Sequence, residues 1–209
     1  MFVLEEILKV TRLFRNVRPF GLAHFAVFGA ILIFAAGIAC AQTGAMSPNQ
    51  DENDGVSAGG NWMEFTSTAK MTGAKRVRFE LQSNNYFRED QDYKPRISLY
   101  CDNGKLKYPD FNPGVRLPSP NRPGFWGQPQ LGVRVRVDDV NYRKGWNWMR
   151  DHFLIMDKGT VRSLIGAQVF NVQLPTRSGL QIAEFSPAGL NLDRIKQACD
   201  LTPKKPSKD

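Results

Sequence analysis

Residues 96–111, RISLYCDNGKLKYPDF, alternate apolar and polar side chains on both sides of an Asn103-Gly104 pair. A period of two puts successive side chains on opposite faces of a strand. Asn-Gly takes up the positive φ angles that a two-residue hairpin turn needs. Ile97, Leu99 and Cys101 form one apolar face, and Leu106 and Tyr108 are expected to return on it. An isolated hairpin is only marginally stable, so further strands must cover it. The chain offers them. KRVRFELQS sets Val77, Phe79 and Leu81 against Arg76, Arg78 and Glu80, and LGVRVRVDDVNYR repeats the pattern with Val133, Val135 and Val137. LIMDKGT reads as a strand ending in a turn at Lys158-Gly159, and LQIAEF, residues 180–185, as the last strand.

Two helices are expected. TVRSLIGAQVF is weakened by Gly166 and its β-branched residues, whereas LNLDRIKQAC brings Leu192, Ile195 and Cys199 onto one face at spacings of three and four. The fold class is therefore α+β and β-rich, an antiparallel sheet or sandwich with a C-terminal helix tied by a disulfide.

The compartment is written in the first residues. Lys9, Arg12, Arg15 and Arg18 precede an apolar stretch, residues 20–41, whose strongest part is FAVFGAILIFAA and which exits through Ala39-Cys40-Ala41. A basic leader, a short apolar core and small residues before a cut describe a secretory signal peptide. Residues 20–41 are also long enough for a tilted span, so an uncleaved anchor is the alternative. Lipidation of Cys40 is a third reading, although the leucine common three residues upstream is missing. All three send residues 42–209 out of the cytoplasm. The expected organisation is 1–41 signal peptide or N-terminal anchor, 42–60 flexible linker, 61–201 β-rich exported domain and 202–209 polar tail. Location is periplasmic or secreted, or else anchored in the inner membrane with the domain outside.

Without the leader, Cys101 and Cys199 remain. An even cysteine count in an exported chain normally means a bridge. Both residues lie on apolar faces, and a redox role lacks the C-x-x-C spacing or neighbouring histidine that would activate a thiol. A structural disulfide is expected.

Little chemistry is encoded. His152 is the only histidine after the leader, too few ligands for a zinc site once both cysteines are bridged. No nucleophile elbow and no phosphate-binding glycine loop is present. No metal and no cofactor is expected. The enzyme reading that survives is a carboxylate pair cleaving glycan or peptide, with Asp138, Asp139, Asp151 and Glu184 as candidates. Adjacent strand residues face opposite ways, so Asp138 and Asp139 cannot both address one substrate without a bulge.

Binding features are richer. Residues 109–130, PDFNPGVRLPSPNRPGFWGQPQ, hold Arg116, Arg122, Phe125 and Trp126 among many prolines. So long a connection is usually either functional or disordered, and proline lowers the entropy lost on binding. Phe125-Trp126 is a candidate anchor, and a flap whose aromatics fold back onto the sheet is the plainer alternative. RKGWNWMRD places Trp146 and Trp148 on one face, where burial is the default and binding the alternative. The exported part carries 24 Lys+Arg against 18 Asp+Glu, a net charge of +6. That surplus, outside the cell, points to an envelope protein with an acidic surface, to an anionic envelope component or to nothing specific, rather than to nucleic acid. The membrane is met only through residues 20–41 if they stay attached.

WMEFTSTAKMTGAKRVRFELQS, PRISLYCDNGKLKYPDF, VRVDD and AEFSPAGLNLDRIKQACDL, in that order, resemble the blocks of bacterial exported proteins of the VasI type. The shared positions are Trp62, Cys101 with Gly104, Arg136 with Asp138, and Phe185, Gly189, Leu190, Ala198 and Cys199. The likeness spans roughly residues 61–201 and departs at the proline-rich stretch 109–130. It implies an exported, disulfide-closed, β-rich accessory domain without catalysis, associated in that family with type VI secretion.

Overall fold

The structure, a computed structural model, describes residues 54–203. The expected leader, Cys40 and most of the expected linker and tail lie outside the described residues. Eleven strands follow in chain order: β1 (Val56–Gly59), β2 (Trp62–Thr68), β3 (Lys75–Gln82), β4 (Arg96–Asp102), β5 (Lys105–Asn112), β6 (Arg122–Pro123), β7 (Pro129–Val137), β8 (Val140–Met149), β9 (Phe153–Ile155), β10 (Phe170–Thr176) and β11 (Gly179–Phe185). Helix α1 (Lys158–Leu164) stands between β9 and β10, and α2 (Leu192–Cys199) follows β11. The strands make one antiparallel sheet in the order β1-β2-β3-β4-β5-β9-β8-β7-β10-β11, with the short β6 added to β7.

The inward faces are the apolar halves of the alternating segments. Val77, Phe79 and Leu81 meet Ile97, Leu99 and Cys101 on one half, and Leu131, Val133 and Val135 lie beside Val172 and Leu174 on the other. Phe111 of β5 joins the halves. Its ring centroid is 5.8 Å from Trp146 of β8 and 6.2 Å from Phe185 of β11. The sheet thus curls on itself as a β-sandwich-like body around a single core.

Both ends of the strand order are covered, as exposed strand edges invite pairing with other chains. Asn84 donates its backbone N–H to Glu184 O at 2.7 Å, the Asn85 amide donates to Ile182 O, and Glu184 N–H donates back to Asn85 Oδ1. On the far side the Asn191 N–H reaches Ala58 O, and Trp62 Nε1 donates to Pro187 O at 2.9 Å. Gly59 and Gly60, at φ +102 and +56, leave no room for a Cβ against the backbone of Ala188 and Gly189.

The disulfide expected from the cysteine count is present. Cys101 and Cys199 are bonded with Cα atoms 5.1 Å apart, within the reach of a bridge, and tie α2 to β4. Asn191 caps α2 by accepting from the N–H groups of Asp193 and Arg194.

Several local expectations are corrected. Residues 56–59, read as the end of a linker, pair with β2. A register shift between Tyr100 and Cys101 sets Pro109 and Phe111, not Tyr108, on the inner side of β5. Tyr108 faces outward and stacks on Tyr100 with centroids 4.6 Å apart. Lys158-Gly159 opens α1 behind an Asp157 cap rather than making a turn, and Phe170 begins β10 instead of ending a helix. Leu192 is exposed, and Leu190 is buried in its place.

Candidate functional site

The connection after β5 is pinned at its base and open at its tip. Val115 and Leu117 are buried, Leu117 N–H donates to Asp151 O at 2.8 Å, and Trp148 Nε1 donates to Pro118 O at 3.0 Å. Asn121 then fixes the return, its N–H on Gln130 O and its Oδ1 accepting from Gly132 N. From there β6 and β7 form a short hairpin with Arg122 opposite Gln130 and Pro123 opposite Pro129. Its turn is closed by Gly124 N to Gln128 O, Gly127 N to Gly124 O, and Trp126 N to the Gln128 side chain. Gly127 supplies the positive φ, +77, that the turn requires.

This turn holds Phe125 and Trp126 out in solvent, 90% and 81% exposed, with rings 4.9 Å apart and nearly perpendicular. Both readings of residues 109–130 thus have a part: the base is an ordered flap, and the aromatic tip does not fold back. β7 starts at Pro129 and β8 ends at Met149, so the tip shares an end of the sheet with the β8–β9 turn, where Met149 and Phe153 are exposed. Arg116 and Arg122 are exposed on the same connection.

The other two candidates divide. Trp146 is fully buried against Phe111 and belongs to the core, so it is withdrawn as a contact residue. Trp148 is partly buried and holds the base of the connection.

A second surface was not singled out in the sequence. The outward face of β7 carries Gly132, Arg134 and Arg136. Arg134 lies opposite Arg143 of β8 and Gln173 of β10, and Arg136 opposite Asn141 and Asn171. Arg122 joins this face, its side-chain stem lying over Gly132. Arg134, Arg136, Arg143 and the amides of Asn141, Asn171 and Gln173 line a shallow depression of about 510 Å³ that Ile182 of β11 borders. Arg136 is engaged by Asp138 O at 2.7 Å and by the Asp139 carboxylate at 3.6 Å. No carboxylate of the described residues pairs with Arg134 or Arg143. The local signal was available in RVRVDDVNYR, whose polar face reads in isolation as merely solvated.

The carboxylates proposed for catalysis have other surroundings. Asp138, at φ +50, accepts the N–H groups of Gln168 and Val169 at 2.8 and 3.0 Å and holds the β7–β8 turn to the start of β10. Asp139 is fully exposed, Glu184 lies across from Asn171, and Asp151 stands 3.3 Å from the exposed His152. Among the described residues no group of three or more His, Cys, Asp or Glu could hold a metal, and no helix is long and apolar enough to cross a membrane.

Fold and surface define a disulfide-closed, β-sandwich-like domain, and such a bond fits maturation outside the reducing cytosol. Comparison with family models, with curated proteins and with solved structures finds no match.

Proposed function

We propose that this chain is an exported, non-enzymatic binding domain of the bacterial cell envelope that grips an acidic protein partner with its Phe125–Trp126 tip. The domain works in the periplasm or outside the cell, released by cleavage after Ala41 or held by residues 20–41. The likeness to VasI-type proteins suggests the narrower role of a secretion-associated accessory.

One observation carries the reading: two large aromatics are held in solvent by a turn that hydrogen bonds and flanking prolines have already ordered. Rigid, exposed aromatics bind with little further entropy loss and are over-represented among residues that dominate interfaces. Arg116 and Arg122 on the same connection favour an acidic surface around the anchor.

The test combines a double variant with site-directed cross-linking. Phe125→Ala/Trp126→Ala should melt within a degree or two of the parent, because neither ring is in the core. A photoreactive residue at 126, used in the native envelope, should give a discrete protein adduct absent when the same residue sits at 105. The parent's affinity for that protein should exceed the double variant's by about 30-fold or more, the ~2 kcal/mol of a hot-spot contact. A double variant destabilised by several kcal/mol, or identical adducts from both positions, would overturn the proposal.

A further inference from the structure

The outward face of β7, β8 and β10 presents an arrangement that a merely solvated sheet avoids. Arg134 and Arg143 are direct cross-strand partners. Residues so placed have Cα atoms about 4.5–5.5 Å apart, and like charges there are destabilising. Neither guanidinium has a carboxylate partner among the described residues. Arg136 follows two residues along β7, about 7 Å away, and Arg122 lies over Gly132 two residues before Arg134. The result is a continuous strip of four arginines along β7 and its two neighbours β6 and β8. Between and beside them stand neutral amides, Asn141, Asn171 and Gln173. Among the described residues, acidic groups at the borders of the strip are Asp139, engaged by Arg136, and Glu184, opposite Asn171 on β11.

We infer that this strip is a binding surface for an acidic polysaccharide. The guanidinium fork matches a carboxylate in two parallel hydrogen bonds, which a lysine row would not do. Side-chain amides both donate and accept, as sugar hydroxyls require. The depression is shallow and open to solvent, so it suits a chain lying across the sheet rather than a small anion enclosed by it. Charge complementarity identifies the occupant: the bound chain supplies the negative partners that the protein leaves out opposite Arg134 and Arg143. This surface touches the connection that carries the aromatic tip only through Arg122. Arg134, Arg136 and Arg143 lie on β7 and β8, and the inference does not depend on the proposal made for the tip.

The test uses residues 42–209 and alginate, a linear uronate polymer, with neutral dextran as the control. Binding to alginate and not to dextran is expected at low ionic strength, weakening toward about 0.15 M salt as exposed charges are screened. Arg134→Gln/Arg143→Gln should melt at or slightly above the parent, since the opposed like charges are gone, and bind alginate about tenfold or more weakly. Lys105→Gln/Lys107→Gln removes the same charge from the β4–β5 hairpin and should change binding by less than about twofold if the strip is specific. Phe125→Ala/Trp126→Ala should bind alginate as the parent does, which separates this surface from the tip. Failure of the parent to bind alginate overturns the inference, as does equal loss in the two charge variants. So does tighter binding to duplex DNA or to anionic lipid vesicles than to alginate at the same salt.

Discussion

Asp110 is a carboxylate in surroundings that its chemistry does not prefer. It stands on the outward side of β5, across from Ser98 of β4 and Ile155 of β9, with Oδ1 buried and without a hydrogen-bond partner. Burial pushes its carboxyl up to about 6, against the opposing pull of a Ser98 hydrogen bond and of Arg96 and Arg78. The same crowding, with the Asp110 charge, pushes the Tyr100 hydroxyl up to about 12. The folded value of Asp110 lies above the ordinary 3.8, so the folded state favours the proton. Below about pH 4 the group is protonated in both states and nothing is lost. As pH rises through about 6 the folded state must hold a buried charge, and stability falls. The difference between about 6 and the ordinary 3.8 corresponds to roughly 3 kcal/mol at most. Asp110→Asn is therefore expected to stabilise the domain by one to a few kcal/mol at about pH 8 and to do little near pH 4, measured by urea unfolding at both. An equal effect at the two pH values would show that the change acts through packing instead. No sequence signal marked Asp110, because its burial follows from the register shift between Tyr100 and Cys101, which turns Tyr108 outward beside it.

At the scale of elements, α1 shows how a cap can decide between strand and helix. Asp157 accepts from Thr160 N at 2.8 Å and from Thr160 Oγ1 at 2.6 Å, with Lys144 Nζ 3.5 Å away. Burial acts to raise this carboxyl, but the Thr160 hydrogen bonds and the lysine charge outweigh it and hold it below the ordinary value. A lowered folded pKa contributes stability above the unfolded value, lost as pH falls through the folded one. Asp157→Ala should accordingly cost about 1–2 kcal/mol at neutral pH, the usual worth of a cap, and clearly less near pH 3. A pH-independent cost, by urea titration, would rule out the carboxylate as the capping species. The Asp-x-x-Thr spacing was visible, yet Gly159 immediately after Lys158 imitates a turn, and that imitation hid the helix start. The long alternations of β3, β4, β7 and β11 were legible because each side chain's face follows from position alone. β10 was not, since Phe170, Val172 and Leu174 sit directly after a helical pattern that runs into them. The site divides in the same way. Pro-Gly-Phe-Trp-Gly announces an exposed turn locally, so Phe125 and Trp126 could be found. The arginine strip was missed although Arg134 and Arg143 both lie in RVRVDDVNYR, because their meeting follows only once Asp138-Asp139 is taken as the turn that sets the strand register.

At the scale of the whole molecule, closure of the sheet depends on contacts between distant parts of the chain, and many of them gather at the C-terminal segment. Trp62 meets Pro187, Gly60 meets Ala188 and Gly189, and Asn191 meets Ala58, just before α2 packs on β3, β4 and β5. The Cys101–Cys199 bond fixes this segment covalently, across a sequence separation of 98. Loop-closure entropy for a ring that size contributes up to about 4.7 kcal/mol, with 2–4 kcal/mol more usual. Either Cys101→Ser or Cys199→Ser removes the whole bond, so each single variant should lose a few kcal/mol by urea unfolding. The double variant should lose about as much as one, since its second change finds no bond left to break. Reduced parent protein should unfold at nearly the midpoint of the double variant. Additive losses would mean that each sulfur acts through its own packing, and an unchanged midpoint in all three variants would mean that the noncovalent seam around Trp62 and Gly60 closes the sheet without help.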